Sequence, residues 1–184
     1  MAKILSKLRG GDRRSIGKVG EVVTAVRKKP DLFKELVAGL FDADPVVRMR
    51  AADAMEKISL KNPQFLQSFK TELIRLAQQT PQQELRWHMA QMIPRLKLTP
   101  KETATVTEIF FEYLKDKSKI VVAFAMQALS DLAIKEADAS TRVIRAIEKL
   151  AQTGSPAIQS RGKKLLMQLK SPSQKNKRAK IKEN

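Results

Sequence analysis

The 184-residue sequence contains no cysteine and only one histidine. The lack of cysteine excludes disulfides, thiolate metal sites and a cysteine nucleophile. The histidine, His88, has no serine or cysteine near it in a nucleophile motif, which gives acid–base catalysis little support. The sequence also shows no phosphate-binding glycine pattern and no metal-ligand cluster. We therefore predict that the protein is not an enzyme, needs no cofactor and binds no metal.

Long apolar runs are missing as well. None approaches the roughly 20 residues needed to span a bilayer, and residues 1–8 lack the long apolar segment of a signal peptide. We therefore predict a cytoplasmic location and no membrane partner. Aromatic residues are scarce, at 5% of the chain against 42% hydrophobic residues in all, so we expect a mainly aliphatic core.

Acidic residues are few relative to basic ones. The chain has 19 Asp and Glu and 36 Lys and Arg, which gives a net charge of +17. Residues 1–30 contain nine basic and two acidic residues, and residues 171–184 contain five basic and one acidic. The second segment has no apolar period and predicts a basic disordered tail. The basic residues of the tail are Lys175, Lys177, Arg178, Lys180 and Lys182. Clustered cations favour a polyanionic partner, and the alternative is that they serve only solubility.

A motif recurs about every 37 residues along the chain. Its copies begin at Asp44-Pro45, Thr80-Pro81, Ser118-Lys119 and Ser155-Pro156, at intervals of 36, 38 and 37 residues between the second members. A near-constant period of this length is typical of stacked helical repeats. The short polar side chain that opens each copy suits a helix N-cap, and proline suits the first helical position. Apolar residues then recur at helical spacing, so each copy predicts a helix.

Turn-prone clusters between these copies predict a second set of helix starts. They lie near Pro30-Asp31, Asn62-Pro63, Thr99-Pro100 and Asp138. Thr99 and Glu102 have the spacing of a capping box, and the apolar series from Ile16 to Val26 predicts one helix before the first hairpin. The prediction is an all-α fold of about nine helices. These form four helical hairpins plus an N-terminal helix, in a single domain over residues 1–170.

The run from Asp44 to Ile58 resembles the second helix of a HEAT repeat. Val47, Arg48 and the series of small and large apolar residues that follows occupy the places typical of that helix. The resemblance covers residues 30–170 in four copies. It implies a right-handed α-α superhelix, a HEAT-like solenoid, whose second helices line the concave face.

The HEAT resemblance also concerns polar links between repeats. In HEAT-like proteins, Asp and Arg residues of successive repeats can join into a hydrogen-bonded ladder along the stack. In the alignment of the four copies, Glu84, Val122 and Gln159 stand where the first copy has Arg48.

Basic residues at repeating positions of the second helices predict a partner-binding surface. Arg50, Arg86 and Arg161 fall at equivalent places in the aligned copies, and the third copy has Phe124 there. A solvated helix face with charges of both signs is the alternative. The predicted partner-binding residues are Arg14, Arg50, Lys57, Arg86, Phe124, Arg161 and Lys164.

Three functions from different classes follow. The first, which we prefer, is a non-enzymatic scaffold that binds a protein partner, an anionic segment, on its concave face, as the HEAT resemblance implies. The second is a nucleic-acid-binding module that uses the terminal basic segments and the groove arginines. The third is a HEAT-like glycosylase acting on alkylated DNA, which resembles this chain in its scaffold. We expect the single tryptophan, Trp87, to fill a gap between repeats, with ligand stacking as the alternative.

Overall fold

The computed structural model describes residues 3–12, 15–135 and 140–171. Within these residues the chain forms eleven α-helices and two short 3-10 helices, and it contains no strand. The helices are α1 (Lys3–Ser6), α2 (Val19–Lys28), α3 (Phe33–Gly39), α4 (Pro45–Ser59), α5 (Gln64–Gln67), α6 (Lys70–Gln79), α7 (Gln83–Met92), α8 (Pro100–Tyr113), α9 (Lys119–Lys135), α10 (Ser140–Thr153) and α11 (Pro156–Leu169). The predicted all-α class is confirmed. None of the described helices is both long and apolar enough to cross a membrane.

The chain divides into two compact units, Met1–Lys97 and Leu98–Asn184. In the first unit α3 packs against α4 and α6 against α7, and in the second α8 packs against α9 and α10 against α11. The N-terminal helix α2 contacts α4, and the second helices of successive hairpins also touch, since α4 contacts α7 and α9 contacts α11. The single domain over residues 1–170 stays a prediction, and the predicted basic tail beyond Ser171 lies outside the described residues.

Helix α4 shows how the repeat sequence produces the packing. The Asp44 carboxylate accepts a hydrogen bond from the backbone N–H of Val46 at 2.8 Å, and Pro45 occupies the first turn, where no N–H is needed. The apolar side chains at helical spacing are Val47, Ala51, Ala54, Met55 and Ile58, all fully buried. Burying each of the larger ones contributes about 1.5–3 kcal/mol, and the alanines let neighbouring helices approach closely.

Helix α8 begins with the predicted capping box. The Thr99 hydroxyl accepts from the backbone N–H of Glu102 at 3.3 Å, and the Glu102 carboxylate accepts from the backbone N–H of Thr99 at 2.7 Å. Two donors of the first turn are satisfied in this way. The start of α10 is described from Ser140 onward, so the start predicted at Asp138 lies outside the described residues.

All nine predicted helices are present, and two further ones raise the number among the described residues to eleven. One is α1 at the beginning of the chain. The other arises because a break at Ser68 and Phe69 divides one predicted helix into α5 and α6. Two 3-10 turns, Pro30–Leu32 and Ile93–Arg95, flank α3 and α7, and each contains a proline that lacks the N–H needed to continue an α-helix.

The start predicted for α7 at Thr80-Pro81 is wrong by two residues. The residue before a proline favours extended backbone, and Thr80, with a ψ of 127°, ends α6 by donating its N–H to the carbonyl of Leu76 at 2.9 Å. Gln82 is the N-cap of α7 instead. The alignment of the copies therefore slips by two residues at this hairpin.

The N-terminal helix also starts later than the apolar series suggests. Helix α2 begins at Val19, because Gly17 adopts a φ of +53°, a conformation that an α-helix does not contain. Ile16 lies before this turn and is 53% exposed, whereas the four valines of the series are buried.

Candidate partner-binding site

The observed starts of the second helices determine which side chains are equivalent. Asp44, Gln82 and Ser155 are the N-caps of α4, α7 and α11, and Ser118 immediately precedes α9. We call the sixth residue after each of these the cap+6 position, and the fourth the cap+4 position. The cap+6 residues are Arg50, His88, Phe124 and Arg161. Arg86, expected to be equivalent to Arg50, is a cap+4 residue like Arg48, so that expectation is wrong.

Arg50 is buried, with 2% of its surface exposed. Its Nη1 donates to the carbonyl oxygens of Leu8 and Gly10, at 2.8 and 2.5 Å. Its Nη2 donates to the carbonyl of Asp12 at 3.1 Å, and its Nε donates to that of Ser15 at 3.0 Å. The guanidinium thus holds the N-terminal loop, described as residues 8–12 and 15–17, against α4. This overturns the expectation of Arg50 on an open binding surface.

Glycines let the N-terminal loop come this close to Arg50. A Cβ at Gly17 would lie 3.0 Å from the guanidinium carbon of Arg50, and one at Gly11 would lie 3.3 Å from Nη2. Both glycines also have positive φ, of +53° and +71°, which other residues rarely adopt. The turn at Gly10-Gly11 therefore presents main-chain oxygens to a buried cation.

The cap+4 arginine of α4 joins neighbouring hairpins. Arg48 Nη1 donates to the carbonyls of Asp42 and Ala43 at 2.8 and 3.0 Å, and its Nε donates to the side-chain oxygen of Gln82 at 2.7 Å. The Gln82 amide in turn donates to the carbonyl of Pro45 at 2.9 Å. This is a link between repeats of the kind that the HEAT resemblance implies, with a glutamine in place of an aspartate.

The other cap+4 residues bind their own preceding loops or lack polar groups. Arg86 Nε donates to the carbonyl of Thr80 at 2.9 Å, and the Gln159 amide donates to that of Gly154 at 2.9 Å. Val122, the occupant in α9, is buried. Arg86 therefore contributes to loop structure, which differs from its expected role at a binding surface.

His88 occupies the cap+6 position of α7 and is 7% exposed, with no hydrogen-bond partner for its buried Nδ1. Burial lowers the pKa of the imidazole to about 4, the Asp53 carboxylate partly opposes this, and the Lys57 ammonium adds to it. Trp87 is half-buried beside it, its ring edge-on to the imidazole at 5.8 Å. His88 is thus neutral at physiological pH and packs in the interior.

Lys57, one of the predicted partner-binding residues, is already paired. Its Nζ lies 2.6 Å from the Asp53 carboxylate, four residues earlier on α4. A cation held in this way offers less charge to a partner than a free one, because its neighbour has the opposite sign. The first unit therefore places none of its described predicted residues as an unpaired, exposed cation.

The second unit brings two predicted residues together. The guanidinium carbon of Arg161 lies 5.7 Å from the ring centre of Phe124, within cation–π range. Arg161 Nη2 also donates to the side-chain oxygen of Gln127 at 3.2 Å, while the Gln127 amide nitrogen donates to Asp131 at 2.8 Å. Asp131 thereby turns the oxygen of Gln127 toward the arginine. Sequence reasoning did not identify Gln127, although it lies only three residues after Phe124.

Arg161 keeps its charge unneutralised. Its acceptor, Gln127, is neutral, and among the described residues no carboxylate pairs with Arg161. Lys164 follows three residues later on the same face of α11, is exposed, and has no ion pair with any described residue. Phe124 and Arg161 are each partly exposed. This cluster of Phe124, Gln127, Arg161 and Lys164 is the candidate site.

A second arginine–aromatic pair in this unit provides a contrast. Arg142 on α10 lies 3.8 Å from the ring centre of Phe111, and both of its terminal nitrogens donate to the Glu108 carboxylate. These hydrogen bonds lower the pKa of Glu108 and raise that of Arg142. The charge of Arg142 is therefore cancelled locally, whereas that of Arg161 is available.

An open cavity of about 460 Å³ lies beside the N-terminal loop. Its lining includes Lys7, Arg9 and Lys18, but each of these cations already has a carboxylate partner. Glu21 lies 2.9 Å from Lys7 and 4.0 Å from Lys18, and Arg9 pairs with Asp42 at 2.6 Å. We interpret this cavity as part of the packing of the loop.

Two groups of predicted binding residues, Arg14 and the basic tail, cannot be assigned to this site. Arg14 and the tail residues lie beyond the described part of the chain. In the residues that the structure does describe, no group of three or more His, Asp or Glu side chains is placed to hold a metal.

Comparison with known proteins agrees with the architecture. A family model described as HEAT repeat domain matches residues 7–169. Among solved structures, a designed armadillo repeat protein in complex with the peptide (KR)4 matches with a TM-score of 0.60 and 17% identity, covering 97% of this chain and 86% of that chain. At this identity the likeness concerns the fold alone. No protein of curated function matches the sequence.

Proposed function

The chain belongs to the HEAT repeat family, and we propose that it is a non-enzymatic scaffold that binds an acidic segment of a partner protein. The observation that carries the proposal is the unneutralised Arg161 beside Phe124 on adjacent second helices. An unpaired cation next to a partly exposed aromatic ring suits a recognition surface, since aromatic and arginine side chains are enriched at protein interfaces.

Charge selects the kind of partner. Arg161 and Lys164 point two unpaired positive charges from one helix face, and the whole chain carries +17. Charge complementarity of this kind speeds association and disfavours partners of like charge. Phe124, together with Ile120, which is 50% exposed one turn earlier on α9, supplies apolar surface to the same site. An acidic segment with some apolar side chains matches both features.

The structural neighbour supports a peptide as the form of the partner. The designed armadillo repeat protein is in complex with the basic peptide (KR)4, so a solenoid of this fold can bind a peptide. The present chain is strongly basic, and a basic peptide would be repelled. We therefore assign the opposite charge to its segment.

The test is fluorescence anisotropy with a labelled octapeptide of alternating Asp and Glu, (DE)4, and a neutral (GS)4 control, at near-physiological salt. We expect (DE)4 to bind at least about tenfold more tightly than (GS)4. The double variant Arg161→Gln/Lys164→Gln should remove most of this difference. The matched control Arg142→Gln/Lys149→Gln makes the same change in net charge on α10 and should retain it. Equal losses in the two double variants would contradict the proposed site.

A second function is favoured by one specific observation, the concentration of cations in residues 1–30 and 171–184. A nucleic-acid-binding module would use these segments to contact phosphates. Labelled duplex DNA and single-stranded RNA, titrated at low and near-physiological salt, test this function. Truncation to residues 1–170 should then weaken binding similarly for all sequences and reduce the salt slope by up to about five contacts. Binding that disappears at the higher salt would leave the acidic-segment proposal in place.

A further inference from the structure

We infer that Arg161 recognises the main chain of the bound segment, by donating hydrogen bonds to its backbone carbonyl oxygens. This inference rests on the proposed function and specifies which groups of the segment Arg161 contacts. Its basis is an internal example, because the same chain already contains an arginine at the cap+6 position that binds main-chain carbonyls.

The internal example is Arg50. From the cap+6 position of α4 its guanidinium donates to the carbonyls of residues 8, 10, 12 and 15, with donor–acceptor distances from 2.5 to 3.1 Å. None of these acceptors is a side chain. A cap+6 arginine on a second helix thus has the reach and direction to bind several carbonyl oxygens of a segment lying across the helix.

Arg161 occupies the cap+6 position of α11 but has no such segment over it among the described residues. An arginine has five N–H donors. One of those on Nη2 bonds to Gln127, and Nε is buried without a partner. The remaining three belong to the terminal nitrogens and have no acceptor within the described chain. These donors are of the same type as those that Arg50 uses.

The guanidinium of Arg161 is also held in place before any segment arrives. Phe124 lies beneath it and Gln127 fixes one terminal nitrogen. Ordering a flexible side chain in advance reduces the entropy lost on binding, and the planar fork of arginine presents donors in a fixed geometry. Lys164, a flexible point charge, remains for the acidic side chains of the segment.

The two arginines differ in what covers them, and this difference identifies the occupant. Arg50 is covered by the chain's own loop, where a Cβ added at Gly11 or Gly17 would lie only 3.0–3.3 Å from the guanidinium. Arg161 is partly exposed and lies beside unpaired positive charge. An extended acidic segment supplies backbone carbonyl oxygens as acceptors for Arg161. Its carboxylates complement the positive charge of Arg161 and Lys164.

The test combines backbone chemistry in the peptide with substitutions in the full-length protein. Three forms of (DE)4 are compared: the all-amide peptide, an analogue with ester bonds at alternate linkages, and an analogue N-methylated at the same linkages. An ester weakens the carbonyl as an acceptor, whereas N-methylation removes the N–H donor and leaves the carbonyl a strong acceptor. Each is titrated against the native protein, Arg161→Gln and Lys164→Gln, which lose the same charge. The (GS)4 peptide and its ester analogue are included.

For the native protein we expect the ester analogue to bind about tenfold more weakly than the amide peptide, the effect of weakening more than one hydrogen bond to a charged donor. In Arg161→Gln that ester effect should disappear, and in Lys164→Gln it should persist. The effect of N-methylation should be the same in all three proteins. Thermal melting of each variant checks that it is folded.

The outcomes separate the two proposals. An ester effect that is equal in all three proteins overturns main-chain recognition by Arg161 and leaves the scaffold function intact. If (GS)4 binds as tightly as (DE)4 and its ester effect depends on Arg161, main-chain recognition stands and the preference for acidic segments fails. If none of the peptides binds the native protein, both proposals are overturned.

Discussion

At the cap+6 position, the first unit carries Arg50 and His88, which are 2% and 7% exposed, whereas the second carries Phe124 and Arg161, which are both partly exposed. Arg50 is covered by the N-terminal loop, and its guanidinium donates hydrogen bonds to four backbone carbonyls. His88 is buried as a neutral ring. The second pair stacks one side chain on the other and retains a positive charge.

This difference shows that a repeating basic residue does not by itself make a binding surface. What packs over the position decides whether its charge is used for folding or remains for a partner. Arg50 and Arg161 have the same residue type at the same helix position, so the covering segment is the variable that separates them. The expected consequences are largest in the first unit and smallest at the surface of the second.

The largest expected effect comes from removing the buried guanidinium. Arg50→Met should lower the free energy of unfolding by about 3–5 kcal/mol, because four carbonyl oxygens lose a charged donor in a largely buried setting. Arg161→Met, the matched change, should cost less than about 2 kcal/mol, since it removes one hydrogen bond and one cation–π contact at a partly exposed position. Urea unfolding measures both. Similar midpoints for the two variants would remove the distinction between the units.

The next effect depends on pH and involves His88. Its pKa is lowered to about 4 by burial, so between its unfolded value near 6.5 and pH 4 only the unfolded chain binds the proton. Stability should therefore fall as pH decreases through this window, by about 1.4 kcal/mol per unit and about 2 kcal/mol by pH 5. His88→Gln lacks this contribution and should show a flatter profile from pH 7 to pH 5 in urea unfolding. Parallel profiles would mean that His88 is not buried as a neutral ring.

A smaller effect is expected from the glycine that faces Arg50. Gly17→Ala should destabilise the protein by about 1–2 kcal/mol, because its φ is positive and the new Cβ would lie 3.0 Å from the guanidinium. Gly20→Ala is the control in the same region. Gly20 lies in α2 with open space around it, so alanine should stabilise by a few tenths up to about 1 kcal/mol. Thermal melting should shift in opposite directions, and a common direction would contradict the close approach of the loop.

The smallest effect is expected at the surface of the second unit. Arg142→Gln breaks the pair with Glu108, which is exposed on both sides, and should change stability by no more than about 1 kcal/mol. The effect should diminish further at high salt, because surface charges are screened. Urea unfolding at two salt concentrations measures this change. A loss of stability comparable to that of Arg50→Met would show that the ion pair of Arg142 and Glu108 contributes more than an exposed pair usually does.

Much of the fold follows from local sequence signals. The helix period, the N-cap residues and the capping box at Thr99 and Glu102 are each properties of a few neighbouring residues, and they predicted the eight helices of the four hairpins and the N-terminal helix. The error at Thr80 arose because a threonine before proline serves equally as the end of one helix and the start of the next. Only the packing of α6 against α7 shows which of the two roles Thr80 has. With the helix start at Gln82, the residue equivalent to Arg50 is His88 and not Arg86.

Less of the candidate site was predictable. Phe124, Arg161 and Lys164 were identified from their repeat positions, and the structure places Phe124 beside Arg161. The burial of Arg50 was not predicted, because its partners are backbone carbonyls about 40 residues away. Backbone carbonyls carry no residue-specific signal in a sequence. Glycines at positions 10, 11 and 17 were the available hint, since repeated glycines allow a loop to approach another group closely.

Residues close together in the chain, and its composition, are enough to specify an all-helical repeat protein of basic character, because helix periodicity, capping and net charge do not depend on distant contacts. Which arginines are interior and which keep an unpaired charge follows from the packing of the helices and loops. That depends on which segment covers each helix position, and burial of a charge is determined by contacts between residues distant in the chain.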